Sequence, residues 1–379
     1  MVIEHIPNIR HMAAFVAVVE EGSLTRASRS VNLTQPALTQ AIARLEAEIG
    51  CVLFDRTNAG MIATEPAHLL APWAARALRR IGSGRVTGSQ IRAFLAVVRS
   101  GSYPGGSDNS GLSPASLHRA IADLSIALGQ RLVERRGRQL IVTEAGRRRQ
   151  RDFGLALADL RNGFDEVSRW LGKKAGRIVI GAMPLSRANW LPATILRYAR
   201  ANPEVDLVII EGSHAELVGP LRDGEIDLLL GALRDSPGSD DLNQRAVFED
   251  RPKLIMRAGH PLSREETRLR SELVRYPWIL PAAETPLRGY WNQMMRTLGH
   301  EPPHVSIECG SVLATRQLLV GSDAITLLSP EQLALEIDAG VLLALDPPVG
   351  VVRTIGITTR EDWLPTVPQS AFISMLVDR

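Results

Sequence analysis

Lysine is nearly absent from this chain: of 44 basic residues only three are lysines, Lys173, Lys174 and Lys253. Cysteine is scarcer still. Cys51 and Cys309 are the only two, in separate regions, and neither has a second cysteine at metal-ligand spacing. That excludes a disulfide framework and a cysteine metal site, and both read as reduced packing residues of a cytoplasmic protein. No apolar run approaches the roughly eighteen residues of a membrane span. The opening stretch MVIEHIPNIR lacks the apolar core of a signal peptide. Catalytic signatures are missing as well: there is no GxSxG elbow, no phosphate-binding loop and no HExxH. His300 and His304 stand four apart, but Pro302 and Pro303 between them prevent the helix that would aim both at one metal. The expectation is a protein that is not an enzyme, with no cofactor, no metal and no membrane partner.

What is present is charge asymmetry. The 379 residues suffice for two or three domains, and with 45% apolar and 22% charged residues the chain has an ordinary globular composition. The net charge of +3 conceals two unlike halves. Residues 1–151 hold 20 Arg and 11 acidic residues, a balance of +9, whereas residues 152–379 hold 24 basic and 30 acidic residues, a balance of −6. A basic front and an acidic back imply a polyanion-binding module joined to a module with another task.

The front half repeats itself. Shifting the sequence by 79 residues, without a gap, aligns Ala14–Glu65 with Ala93–Glu144, and 20 of the 52 pairs are identical. Phe15/Phe94, Gly22/Gly101, Leu38/Leu117, Ile42/Ile121, Leu45/Leu124 and Gly50/Gly129 are among them. Two copies are too few for a solenoid, so this reads as a duplicated domain.

Each copy has a local logic. Met12–Glu20 predicts a helix closed by Gly22, and Ser23 caps a second one. Thr34 caps a third, Pro36 sits in its first turn where a missing N–H costs nothing, and Leu38, Ile42, Leu45 and Ile49 form its apolar stripe. Gly50 ends that helix and a small hairpin follows. Helix, helix, turn, helix and hairpin make a winged helix-turn-helix, whose third helix lies in the DNA major groove. Away from the stripe, Thr34, Gln35, Thr39, Gln40 and Ala43 are short or amide-bearing, with hydroxyls and amides that hydrogen-bond base edges, and Pro36 is a further candidate DNA contact. Arg56 on the wing suits a phosphate.

The stretch GSLTRASRSVNLTQPALTQAIARLEAEIGCVLFDR closely resembles the DNA-binding domain of LysR-type transcriptional regulators. The match lies in the Gly-Ser turn, the Ala-containing second helix, a Ser-Gln-Pro-Ala-like opening of the third, Leu-Glu near its end, and Gly…Leu-Phe-x-Arg before the wing. Thr34 and Thr39 replace serines, Gln40 replaces a basic residue, and Pro66 interrupts the usual Thr-Glu-Ala-Gly. In the second copy SYPGGSDNSG, with Pro104 and three glycines, is not expected to form a stable helix. Its candidate DNA contacts are Ser113, His118 and Arg119 on the third helix and Arg135, Arg136 and Arg138 on the wing. Arg10–Glu65 carries 5 basic and 6 acidic residues, and Gly88–Arg151 carries 11 and 4. Copy one is therefore expected to read sequence and copy two to act chiefly as an electrostatic clamp, the alternative being a relic that only packs against copy one with its arginines solvated.

After Gly146, Leu157, Leu160, Phe164, Val167 and Leu171 recur at spacings of 3, 4, 3 and 4. This seam resembles the family's linker helix, which pairs two subunits, and implies a homodimer or homotetramer, the alternative being a helix packed on its own domain. From Arg177 strands alternate with helices, which predicts parallel β-α-β units with ligands at strand C-terminal ends. The region resembles the family's two-lobed effector domain, built like a type-2 periplasmic binding protein. Ser186, Ser213, Thr285, Ser311 and Ser329 recur where strands hand over to helices, with Arg187, Arg234 and Arg288 as counter-charges. They imply a small carboxylate-bearing effector; the resemblance to the branch of the family that regulates sugar and aromatic-acid catabolism implies an aromatic or sugar acid.

The expected architecture is thus a multidomain α/β protein. It places winged helix-turn-helix copy 1 at 8–66, a connecting helix at 67–87, copy 2 at 88–146, a linker helix at 147–174 and an effector domain of two α/β subdomains at 175–379. Double-stranded operator DNA, the effector and RNA polymerase are the expected partners. The competing class is a solute-binding protein, or an enzyme derived from one, with a basic accessory region.

Overall fold

The computed structural model describes residues 6–57, 60–137, 139–173, 176–234, 240–264 and 269–378. It begins with helices α1 (Ile9–Glu21), α2 (Leu24–Ser30) and α3 (Gln35–Ile49), then strands β1 (Phe54–Thr57) and β2 (Gly60–Ala63) and helix α4 (Glu65–Ile81). Gly22 and Gly50 end α1 and α3 in the left-handed region, at φ 61° and 82°, where a side chain would be strained. Leu38, Ile42 and Leu45 are buried against α1, and Phe15 meets Phe54 at 5.8 Å. Pro66 does no damage, because it falls in the first turn of α4.

The same elements then recur as α5 (Gly88–Ser100), α6 (Tyr103–Ser110), α7 (Pro114–Leu128), β3 (Val133–Arg136), β4 (Gln139–Val142) and the long α8 (Glu144–Trp170). The expectation that SYPGGSDNSG would not be helical is overturned by α6. Ser102 caps it by accepting from the Gly105 N–H at 3.1 Å, Pro104 lies in the first turn, and Gly111 closes it at φ 69°. Gly106 occupies the position of Ala27 in copy one, and a Cβ there would lie 2.8 Å from Val97 Cγ2 and 3.1 Å from its Cα. Close helix packing and two sound caps outweigh poor intrinsic propensity.

Helices α4 and α8 pack along each other. Gly163 faces Leu70 and Trp73, Asp159 faces Arg76 and Arg80, and Arg149 reaches Gly82, so the two run antiparallel. Leu70, Ala74, Ala77 and Ile81 of one helix join Phe153, Ala156, Leu157 and Leu160 of the other in a single core that spans both copies. The apolar seam of α8, expected to join two subunits, is therefore covered within the chain. Leu157, Leu160 and Val167 are buried, while Phe164 and Leu171 are partly so.

The back half forms two lobes. In the first, β5 (Arg177–Ala182), α9 (Trp190–Ala201), β6 (Asp206–Glu211), α10 (His214–Arg222) and β7 (Leu228–Ala232) give the expected parallel β-α-β units. The chain then follows β8 (Leu242–Asp250) into the second lobe. That lobe comprises β9 (Lys253–Arg257), α11 (Leu269–Glu272), β10 (Ile279–Leu280), α12 (Pro286–Thr297), β11 (Ile307–Glu308), α13 (Val312–Val320), β12 (Thr326–Leu328), α14 (Ala334–Asp338) and β13 (Leu342–Leu345). Strand β14 (Arg353–Arg360) returns to the first sheet, ordered β6-β5-β7-β14-β8, and α15 (Val367–Val377) packs on α9. Neither sheet is wholly parallel: β14 opposes β7, and β9 opposes both β12 and β13. The two passages between lobes run side by side, tied by Arg353 to Asp250 at 2.6 Å where both side chains are buried. No helix among the described residues is long and apolar enough to cross a membrane.

Helix α8 also seats on the first lobe. A Cβ on Gly154 would come within 2.2 Å of the Asp223 carbonyl oxygen, Arg161 pairs with the buried Asp227 at 3.0 Å, and Glu166 accepts from the Val367 N–H at 2.7 Å. At this joint burial pushes the Asp165 carboxyl up to about 6, against the pull of Arg161 and a hydrogen bond from the Arg177 backbone. A carboxyl whose pKa is raised by folding favours the fold when protonated, so stability falls as pH rises from about 4 through about 6. Asp165→Asn should therefore add up to about 3 kcal/mol at pH 7 and almost nothing at pH 4. Denaturant unfolding at the two pH values measures this, and an equal effect at both would show that desolvation is not the cause.

Candidate nucleic-acid interface and ligand cleft

Helix α3 is held by its buried stripe so that the opposite face looks outward. Gln35, Pro36, Gln40, Ala43 and Arg44 are exposed and Thr39 is half-buried. Thr34 caps the helix from the Ala37 N–H at 3.4 Å, and Gln35 Nε2 donates to Thr25 Oγ1 at 2.8 Å, orienting the first turn against α2. These side chains, with Leu24, line a shallow open concavity on the surface. Glu46 locks the wing to the helix by accepting from the N–H groups of Leu53 and Phe54 at 2.7 and 3.3 Å. Arg56 stands on β1, although its side chain lies outside the described residues.

Helix α7 presents the matching face. Ser113 caps it, accepting from the Ser116 N–H at 3.2 Å, and His118 and Arg119 are exposed at the positions of Thr39 and Gln40. The His118 ring rests on Tyr103, 5.2 Å between centroids, so α6 braces α7. Arg135 and Arg136 are exposed on β3, and Arg138 lies outside the described residues. Burial pushes the Tyr103 hydroxyl up, with Arg135 acting against it.

In the back half, β5, β6 and β7 are parallel, so their C-terminal ends gather Ser186, Ser213 and Arg234 on one edge of the first lobe. In the second lobe β10 runs parallel to β11 and to the bridge at Ile325, which brings Thr285, Ser311 and Ser329 to one edge. Glu284 interacts across with Arg234. The candidate residues differ in their commitments. Ser186 is fully buried and its hydroxyl donates to the Met183 carbonyl at 2.8 Å. Ser213, Thr285 and Ser311 cap α10, α12 and α13 by accepting from the N–H groups of Glu216, Arg288 and Ala314. Arg187 is paired with Glu211, and Arg288 lies 3.9 Å from Glu308.

Two of these groups remain uncommitted: among the described residues, the buried hydroxyl of Ser329 and the buried Nε of Arg234 have no hydrogen-bond partner. The Arg234 main chain is clamped by Gln244, whose side chain accepts from its N–H and donates to its carbonyl. Gln244, His214 and Glu284 are neighbours of Arg234 that sequence reasoning missed. The only signal for His214 was its place directly after Ser213 at a strand end.

The match to known proteins is specific. The pattern of the LysR substrate binding domain fits residues 172–379, and that of the bacterial regulatory helix-turn-helix protein, lysR family, fits twice, over residues 9–68 and 89–147. The chain is 30% identical over 390 residues to the HTH-type transcriptional regulator GalR of Pseudomonas putida, covering 99% of this chain and 98% of that one. It is 25% identical to the HTH-type transcriptional regulator PcaQ of Agrobacterium fabrum, covering 77% and 94% respectively. A full-length OxyR variant from Pseudomonas aeruginosa, carrying one cysteine-to-aspartate substitution, shares the fold with a TM-score of 0.54 at 19% identity, over 76% of this chain and 93% of that chain. Full-length LysG from Corynebacterium glutamicum, solved with bound effector Arg, shares it at 0.51 and 17%, over 76% and 96%.

Burial, then Arg234 and Arg222, push the His214 imidazole down to about 4, so it is neutral at physiological pH. A histidine whose folded pKa lies below its unfolded value contributes stability that is complete above about 6.5 and lost as pH falls toward 4. At this half-buried site the loss is about 1–2 kcal/mol after solvent screening. His214→Gln should flatten the stability profile between pH 6.5 and 4 in denaturant titrations, and an unaltered profile would place the charge-sensitive group elsewhere.

Proposed function

The chain belongs to the LysR family of DNA-binding transcriptional regulators, and from that premise we propose that α3 reads operator sequence while a small carboxylate held between the two lobes sets the outcome. The observation that carries the first part is the outward face of α3: short hydroxyls and amides on a helix whose other face is fully anchored. Gln35 and Gln40 have the donor and acceptor pair that matches adenine in the major groove. Arg135 and Arg136 supply phosphate contacts from the second wing. The protein is a regulator rather than an enzyme, working in the cytoplasm on promoter DNA and, through it, on RNA polymerase.

The effector reading rests on the cleft edge. Arg234 offers a guanidinium with an unpartnered Nε, His214 beside it is neutral, and the capped N-termini of α10, α12 and α13 belong to the same strand ends. Together these suit an anion. An aromatic or sugar acid carries one carboxylate and a body that the remaining polar groups, Ser329 among them, orient. Ser186, buried and bonded to Met183, supports the strand end from beneath.

The DNA assignment is tested by selecting operators from randomised duplexes and comparing variants on the selected and on random DNA. Gln35→Ala should cost about 1–3 kcal/mol on the operator and little on random DNA. Arg135→Ala/Arg136→Ala should weaken both alike and reduce the salt slope by about two units. Equal losses for Gln35→Ala on both DNAs would remove it as a base reader. For the cleft, a thermal-shift panel of aromatic and sugar acids should yield a stabilising ligand, and Arg234→Ala should weaken it by about 1.5–3 kcal/mol. Unchanged affinity in that variant would move the carboxylate away from Arg234.

A further inference from the structure

We propose that one chain is by itself the complete two-headed DNA reader, in which α4 and α8 pair within the chain and the unlike helices α3 and α7 address two unlike half-sites of one non-palindromic operator. The inference rests on the DNA-binding role just proposed and concerns how that role is organised.

The 79-residue offset relates the two linker helices. Glu65 and Glu144 start α4 and α8 at equivalent positions, and the two helices run antiparallel. Gly82 lies against Arg149 and Leu70 against Gly163. Exchanging the copies maps the first contact onto the second to within two residues, which is the signature of a two-fold relation. Its midpoint falls at Ala77 and Ala156, and one turn away stand Arg80 and Asp159, which are equivalent positions in the repeat and touch each other across the axis at 2.9 Å. The far ends obey the same exchange: Ser83, after α4, reaches the Ala127 carbonyl of α7, and Lys173, after α8, approaches Gly50 at the end of α3. The linker of each copy thus supports the reading helix of the other.

A true two-fold places a residue at its axis against its own copy. Two α4 helices from different chains would set Arg80 against Arg80, and two α8 helices would set Asp159 against Asp159. Each would bury like charges, whereas the pairing seen joins opposite ones and adds Arg76 to the same carboxylate at 3.3 Å. Asp159 has only 8% of its side chain exposed, so the preference operates where solvent screens little. Head pairing therefore runs between the copies and not between identical helices.

Freed from symmetry, the two readers carry different chemistry. Gln35 corresponds to Pro114, Thr39 to His118, Gln40 to Arg119 and Arg44 to Asp123. Amides at the first face suit adenine, and an arginine at the second suits guanine. The half-sites should accordingly differ in sequence.

The test uses the full-length chain and a duplex library randomised over about three helical turns, and it reads two quantities. On the shortest selected fragment that retains full affinity, native mass spectrometry in DNA excess should give one chain per fragment, whatever the association of whole chains. Arg119→Ala and Gln40→Ala, both on exposed positions, should each lose about 5- to 150-fold at bases of one half-site only, and of different half-sites. Two chains per fragment, or a single substitution that alters two symmetry-related positions, would overturn the inference. A wild-type chain that selects no sequence at all would instead defeat the DNA-reading role on which it rests.

Discussion

The antiparallel contact of α4 with α8 is the constraint on which the rest of the molecule depends. Without it, each winged domain would end in an amphipathic helix with one apolar stripe in water. With it, Leu70, Ala74, Ala77 and Ile81 close on Phe153, Ala156, Leu157 and Leu160, and the two small domains share one core. Burying each leucine, isoleucine or phenylalanine here contributes about 1.5–3 kcal/mol, which is a large share of the stability of a domain this small. Gly163 sets the distance, because any Cβ there would strike Trp73, and Asp159 sets the register by taking Arg76 and Arg80 together.

The same helix joins the reading heads to the ligand cleft. One side of α8 faces α4, and the other meets the first lobe through Gly154, Arg161 and Glu166. Arg80 extends the connection by bonding Asp159 and Asp362 at once, so an element of the DNA-binding half touches the effector half directly. The Arg161–Asp227 pair ties α8 to the strand whose far end carries Arg234. Asp227 also accepts from the Val179 N–H, which fixes β5 to β7 beneath the cleft. A change at the strand ends is thereby connected to α8 through packed backbone and a partly buried ion pair, with no mobile linker among these contacts.

Much of this is legible in the residues, and the exceptions share a cause. The caps Thr34, Ser113, Ser213, Thr285 and Ser311 announce their helices, because a hydroxyl at the N-cap position is a local requirement. The stripes of α3 and α7 announce which face points out. Helix α6 escapes a sequence reading because its stability comes from Gly106 nesting against Val97, a contact with no local trace. Strand β8 escapes it because Leu242–Asp250 is polar and lies at a sheet edge, so it lacks the apolar run of a buried strand. The seam of α8 is visible, but its partner is not. An apolar stripe states that it must be covered and says nothing of by what, and α4 satisfies it as well as a second subunit would. In the cleft, strand ends are predictable from the β-α-β order, whereas Gln244 and Glu284 reach it from segments that carry no motif.

On the proposed intrachain pairing, covalent linkage accounts for the differences between the copies. In a symmetric dimer every substitution occurs twice, so a residue at the axis must tolerate itself and both reading helices must recognise the same bases. Joining the copies in one chain removes that condition and replaces a concentration-dependent association by a local one. Each marked difference between the copies makes use of this freedom. Arg80 opposite Asp159 is possible only when the two halves are not identical. His118 and Arg119 stand where Thr39 and Gln40 stand, without forcing the first copy to follow. The surplus of arginine collects in the second copy, at Arg135 and Arg136 and along the start of α8, while the first remains near neutral. Phosphate attraction needs no symmetry and adds affinity wherever it is placed. On the proposed roles, specificity in one copy does not require weak electrostatics in the other, and the duplicated head would combine both along one stretch of DNA.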